Sequence, residues 1–182
     1  GHGEGIFGIV DGYPEDVPGA PASRLRAIEE RCLAWRWRLR GLHRRLARTH
    51  GDFHPFNILF REGADFSVLD RSRGEWGEPA DDVTALTANY LFASLQAHGR
   101  LAAPFDTLFR RFWDRYIGRT GDEEILEAAA PFYAFRCLVM ASPLWYPSLD
   151  EGIRKKLFSF TIAVLHAPRF DPARVNEQLH GL

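Results

Sequence analysis

The chain has 182 residues, 46% of them hydrophobic and 26% charged, with a formal net charge of -1. That length suits one domain with a substantial buried core, and the aromatic-rich composition excludes a disordered chain. The near-neutral charge gives no global pull toward nucleic acid or membrane, and no run approaches the ~20 apolar residues of a bilayer span.

No signal peptide opens the chain, and Cys32 and Cys137 are isolated thiols without metal-ligand spacing; both features fit a reducing cytoplasm. Gly3-Glu4-Gly5-Ile6-Phe7-Gly8-Ile9-Val10 fits the glycine-rich pattern G-x-G-x-x-G-x-V that covers nucleotide phosphates in kinases. Its context is missing. No lysine precedes Lys155, and the stretch from Gly8 to His50 is too short for the stranded lobe on which such a loop rides. Gly12-Tyr13-Pro14 and Pro18-Gly19-Ala20-Pro21 interrupt the segment, so residues 1–22 are expected to form an irregular arm.

Ser23 is a plausible N-cap for a helix carrying Leu25, Ile28, Cys32, Trp35 and Leu39 on one stripe. Arginines at 24, 26, 31, 36, 38 and 40 crowd its other faces and are expected to be solvated or paired with acids of neighbouring helices. Gly41 ends this helix, and Leu42–Thr49 leads on in extended form.

His50-Gly51-Asp52-Phe53-His54-Pro55-Phe56-Asn57 then concentrates a carboxylate, imidazoles and a carboxamide in a Gly- and Pro-punctuated loop. Phe56–Phe60 and Phe66–Leu69 are strand-like around the polar Arg61–Asp65, which predicts a β-hairpin returning Asp70 to the neighbourhood of Asn57. Metal-assisted phosphoryl transfer needs these residue types. Asp52 would face an attacking hydroxyl, while Asn57 and Asp70 supply the hard oxygen ligands that Mg²⁺ prefers. A rival reading places His50, Asp52 and His54 on one face of an extended strand, as ligands of Zn²⁺ or Mn²⁺ in a metal-dependent phosphoesterase.

Pro79 opens the next helix, with Asp81 and Asp82 in its first turn and a stop at His98-Gly99. Asp81, Glu75 and Glu78 read as surface acids. Further helices are expected over Phe105–Ile117, Glu123–Ala141 and Glu151–His166, with a short one over Asp171–Leu179. The fold class is therefore mainly α (α+β), about six helices around one small hairpin.

The loop resembles the H-G-D-x-H-x-x-N signature of the aminoglycoside phosphotransferase and choline kinase-like family. Asp70 through Val83, with Gly77-Glu78-Pro79-Ala80-Asp81-Asp82-Val83 opening a helix, is similar to that family's second signature. The resemblance implies a protein kinase-like C-terminal lobe over residues 23–182, with the nucleotide lobe absent from this chain. It implies Asp52 as catalytic base, Asn57 and Asp70 as Mg²⁺ and cofactor ligands, Asp82 as the brace of the loop, and His50 and His54 as structural support. ATP would be the phosphoryl donor and a small-molecule hydroxyl the acceptor.

The same resemblance leaves three origins open: a piece of a longer enzyme, a one-lobe relative, or a chain that borrows its nucleotide lobe from a partner. A non-catalytic remnant serving as a binding module is the alternative function. Glu123, Glu124, Asp150 and Glu151 are candidates to complement the amines of an aminoglycoside. Trp145-Tyr146 could contact a sugar or quaternary ammonium, or fill an interhelical gap.

Overall fold

A computed structural model describes residues 2–71 and 75–180. Its elements are helices α1 (His2–Asp11) and α2 (Ala22–Leu39), strands β1 (Ala47–Arg48), β2 (Ile58–Phe60), β3 (Phe66–Val68) and β4 (Trp76–Gly77), then helices α3 (Pro79–His98), α4 (Phe105–Thr120), α5 (Ile125–Ala128), α6 (Ala130–Ala141), α7 (Glu151–His166) and α8 (Val175–Gln178). The mainly helical expectation holds.

α6 is the centre of the bundle. Its apolar residues cover more than one face, and it packs against α7, α3 and α1. Beneath it, Tyr133, Trp113, Phe160 and Phe170 form a buried aromatic cluster, with Tyr133 and Phe170 ring centroids 4.7 Å apart. Aromatic rings bury large apolar areas, but a phenol inside a core needs partners. The Tyr133 hydroxyl accepts from Trp113 Nε1 at 3.2 Å and shares a 2.7 Å bond with Thr87 Oγ1. This cluster fixes α3, and α3 in turn fixes the polar loop that precedes it in sequence.

The expected irregular arm is corrected: residues 2–11 form α1, packed on α2 and α6. Glycine is a poor helix former, costing about 1 kcal/mol against alanine at each interior position. Burial of Ile6, with Ile9 and Val10 half-buried beside it, supplies the compensating tertiary contacts. Gly5 also admits the Phe135 ring, since a Cβ there would lie 2.9 Å from Phe135 Cε2. The glycine-rich pattern thus reads as helix–helix packing. Tyr13, whose hydroxyl donates to the Leu138 carbonyl at 2.5 Å, ties the following turn to α6.

Other boundaries moved for local reasons. α2 starts at Ala22 behind Pro21, and Ser23 does not cap it. Leu42–Thr49 is not wholly extended, because His43–Arg45 makes a 3-10 turn before β1. The helix expected over Glu123–Ala141 divides into α5 and α6, with Pro131 in the first turn of α6. The terminal segment is a 3-10 turn over Pro172–Arg174 followed by α8.

The strands form two antiparallel ladders. β2 pairs with β3, placing Ile58 opposite Val68 and Phe60 opposite Phe66, which is the hairpin read from the sequence. β1 pairs with β4, Ala47 opposite Gly77 and Arg48 opposite Trp76. This second ladder closes the polar loop at its base. Gly77 is needed there because a Cβ would sit 2.8 Å from Thr49 Oγ1.

Candidate active site

The loop between β1 and β2 owes its shape to Gly51, whose φ of 85° lies in the region that favours glycine. Asp82, in the first turn of α3, accepts the backbone N–H groups of His50 at 2.6 Å and Gly51 at 2.8 Å. Burial pushes the Asp82 carboxyl up, and those two N–H bonds pull against it. Each carboxylate oxygen accepts one loop amide, so Asp82 holds the loop to the rigid end of α3.

His50 is buried and fully engaged. Its Nε2 lies 2.7 Å from the Leu69 carbonyl, while its Nδ1 accepts the Asp52 N–H at 3.3 Å. That pairing puts the proton on Nε2. With both ring nitrogens spent on backbone, and with Gly51 turning the chain, His50, Asp52 and His54 do not share a strand face. The extended-strand premise of the phosphoesterase reading is therefore corrected. No group of three or more His, Cys, Asp or Glu side chains among the described residues is arranged to hold a metal ion.

Past Asp52 the chain makes a tight polar turn. The Asp52 carbonyl accepts the His54 N–H at 3.0 Å and Asn57 Nδ2 at 2.9 Å. Pro55 opens a 3-10 turn that ends at Asn57, and the Asn57 carbonyl then accepts the Leu69 N–H at 2.8 Å. This last bond brings Asn57 next to the residue that precedes Asp70. Asp70 stands exposed with a φ of 55°, and its carboxylate makes no hydrogen bond or ion pair with the described residues. The amide nitrogen of Asn57 is committed to the Asp52 carbonyl, so Oδ1 is the atom that could hold a metal. An amide oxygen and a carboxylate are hard donors that fit Mg²⁺.

Asp52 is half-buried. Its Oδ1 accepts Nη1 of Arg136 at 3.3 Å, and its Oδ2 lies 3.6 Å from His54 Nε2. Arg136 comes from α6, and its Nη2 donates to Oδ1 of Asp81 at 3.0 Å. Asp81 is therefore not the surface acid expected, but a buried partner on the inner side of α3. Two polar atoms around this group, Arg136 Nε and His54 Nδ1, are buried without a hydrogen-bond partner.

A second ionic knot supports the loop from below. Arg45, buried in the turn before β1, donates to Glu78 at 2.6 and 2.9 Å and to Asp122 at 2.6 and 3.0 Å. Burial pushes the Asp122 carboxyl up, but the Arg45 hydrogen bonds and charge outweigh it and hold the group below the ordinary range. Glu78 also caps α3 by accepting the Ala80 N–H. It is an anchor rather than a loose loop acid.

Residues 13–122, more than half of the chain, match the model of a family described as the phosphotransferase enzyme family. The chain belongs to the phosphotransferase enzyme family. The matched span contains His50, Asp52, His54, Asn57, Asp70 and Asp82. Arg136 lies outside the span, so the contact with Asp52 comes from a helix that the family match does not reach. No curated protein and no solved structure matches the chain significantly.

Two residues that shape the site were not singled out from the sequence. Arg136 had a signal, being a lone charge inside the apolar run of α6, where a buried arginine requires partners. Arg45 had none, because it sits among His43 and Arg44 in a basic run. Ser72, Arg73 and Gly74 of the second signature lie outside the described residues.

Proposed function

We propose that this chain is the metal- and acceptor-side lobe of an ATP-dependent phosphotransferase that acts on a small-molecule hydroxyl. The observation that supports the proposal is the Leu69–Asn57 backbone bond, which brings Asn57 next to the residue that precedes Asp70. Asn57 and Asp70 would hold Mg²⁺, which supplies charge neutralisation on the phosphate oxygens when bound with nucleotide. Asp52 would take the proton of the acceptor hydroxyl, and Arg136 fixes the plane of its carboxylate by gripping Oδ1. Asp82 keeps the loop backbone in place during that transfer.

The groups that grip adenine and the α/β-phosphates are proposed to come from a neighbouring lobe. Phe56, Leu59, Phe60 and Phe66 stand exposed on the turn and hairpin beside the site, an apolar surface of the kind a second lobe covers. A polycationic acceptor finds little support. Glu123 pairs with Arg169, Glu124 with Arg44 and Arg45, and Glu151 with Lys155, while Asp150 caps α7. Tyr146 packs against Phe92 with centroids 5.0 Å apart, so it fills an interhelical gap; Trp145 remains exposed.

Isothermal titration of ATP with Mg²⁺ into the chain tests this reading. Weak binding is expected, diminished about tenfold in Asp70→Asn, which removes the carboxylate charge, and in Asn57→Ala, which removes the amide oxygen. Equal affinity in both variants and the wild type would contradict it.

A further inference from the structure

Beside the loop, two adjoining cavities of about 460 and 500 Å³ share Phe112 and Tyr116 of α4 as a common wall. Each has the size of a small-molecule site. Arg48 and Arg71 line the first, and Arg111, Arg115 and Arg119 line the second. Among the described residues the only acid on either wall is Asp82, each of whose oxygens accepts a loop amide, from His50 and Gly51.

Arg111, Arg115 and Arg119 recur every fourth residue along α4, which stacks them on successive turns of one exposed face. Like charges at that spacing repel, and nothing in the described residues relieves them. Arg111, Arg115 and Arg119 have no ion pair there, Asp106 is committed to Arg110 at 2.7 Å, and Asp114 pairs with none of them. Across the groove, Arg71 spends Nε on the Thr49 carbonyl, and its terminal nitrogens have no partner among the described residues. Among the described residues Arg48 has only Glu75, at 3.9 Å and largely exposed. This concentration of positive charge stands out in a chain whose formal net charge is -1. Guanidinium groups are suited to phosphate, and Phe53, Val68 and Phe112 add an apolar floor beside them.

We propose that this groove binds a small phosphate-bearing ligand, its charged groups on the α4 arginine ridge and its apolar part between Phe53 and Phe112. Asp52, Asn57 and Asp70 do not line this groove, while His50, Phe53 and Asp82 connect it to the loop that carries Asp52.

Titration with inorganic tripolyphosphate in the presence of a chelator tests the proposal without involving the metal site. The wild type is expected to bind it, with affinity falling as salt is raised. The triple variant R111Q/R115Q/R119Q is expected to bind at least about tenfold more weakly while keeping its helical circular dichroism, because glutamine is a good helix former on an exposed face. Asp70→Asn should not weaken tripolyphosphate binding, whereas it should weaken binding of ATP with Mg²⁺, which separates this outcome from any failure of the phosphotransferase reading. For the apolar half, 1-naphthyl phosphate should bind more tightly than inorganic phosphate. No binding by the wild type, equal binding by the triple variant, equal binding of the two monophosphates, or binding of an oligonucleotide but not of tripolyphosphate would each overturn the proposal.

Discussion

Arg136 on α6 donates from Nη1 to Oδ1 of Asp52, joining positions 84 residues apart in the chain. The same guanidinium holds Asp81, so the candidate base, the start of α3 and the central helix form one charged unit. Replacing Arg136 with methionine removes charge-assisted bonds to both carboxylates, each of a kind that contributes about 2 kcal/mol. The variant is expected to be destabilised by at least that amount in urea, with faster amide exchange at Gly51 and Asp52. Unchanged stability and exchange would mean that the contact carries no weight.

Arg45 is the more deeply buried cation, its side chain only 4% exposed between Glu78 and Asp122. Arg45→Met leaves those carboxylates facing an apolar group and is expected to cost about 3 kcal/mol, the lower end for breaking a buried pair from one side. Denaturant midpoints of the variant and wild type measure it.

Asp122 gives that knot a pH signature. Its carboxyl is held below the ordinary aspartate value of 3.8, so the folded state favours the ionised form. The resulting stability is fully present above about pH 4 and is lost as pH falls through the lowered folded value. Stability curves of wild type and Asp122→Asn should converge as pH drops below about 4 and separate above it. Parallel curves across that window would contradict the assignment.

Cys32 and Cys137 are both buried, and burial pushes each thiol up to about 12. Only a thiolate attacks an alkylating agent. Iodoacetamide at about pH 8 should leave both thiols unmodified in the folded chain and label both in denaturant. Rapid labelling of native protein would contradict the packing of α2 against α7 and of α6 within the core.

What the sequence made legible was what is local. α3 was bounded by Pro79 and Gly99, residues whose backbone preferences act at a single position, and Gly99 does take a left-handed φ of 66°. The hairpin followed from a polar, Gly-containing turn between apolar runs, and its register then placed Asn57 beside Leu69. The rest depended on distant partners. α1 is glycine-rich and becomes helical only because Ile6 meets the core and Phe135 packs on Gly5. Strands β1 and β4 are too short for any alternation to register. Asp81 looked like ordinary helix-end charge, and only folding places Arg136 over it.

Paramagnetic relaxation by Mn²⁺ tests the proposed metal-binding pair, Asn57 and Asp70, most directly. Mn²⁺ is accepted by the same oxygen donors as Mg²⁺ and broadens the amide signals of residues near it. Titrated into labelled protein, it should first broaden Asn57, Leu69 and Asp70, then Asp52, and the pattern should vanish in Asp70→Asn. Broadening centred elsewhere, or an unchanged pattern in that variant, would contradict the placement of the site.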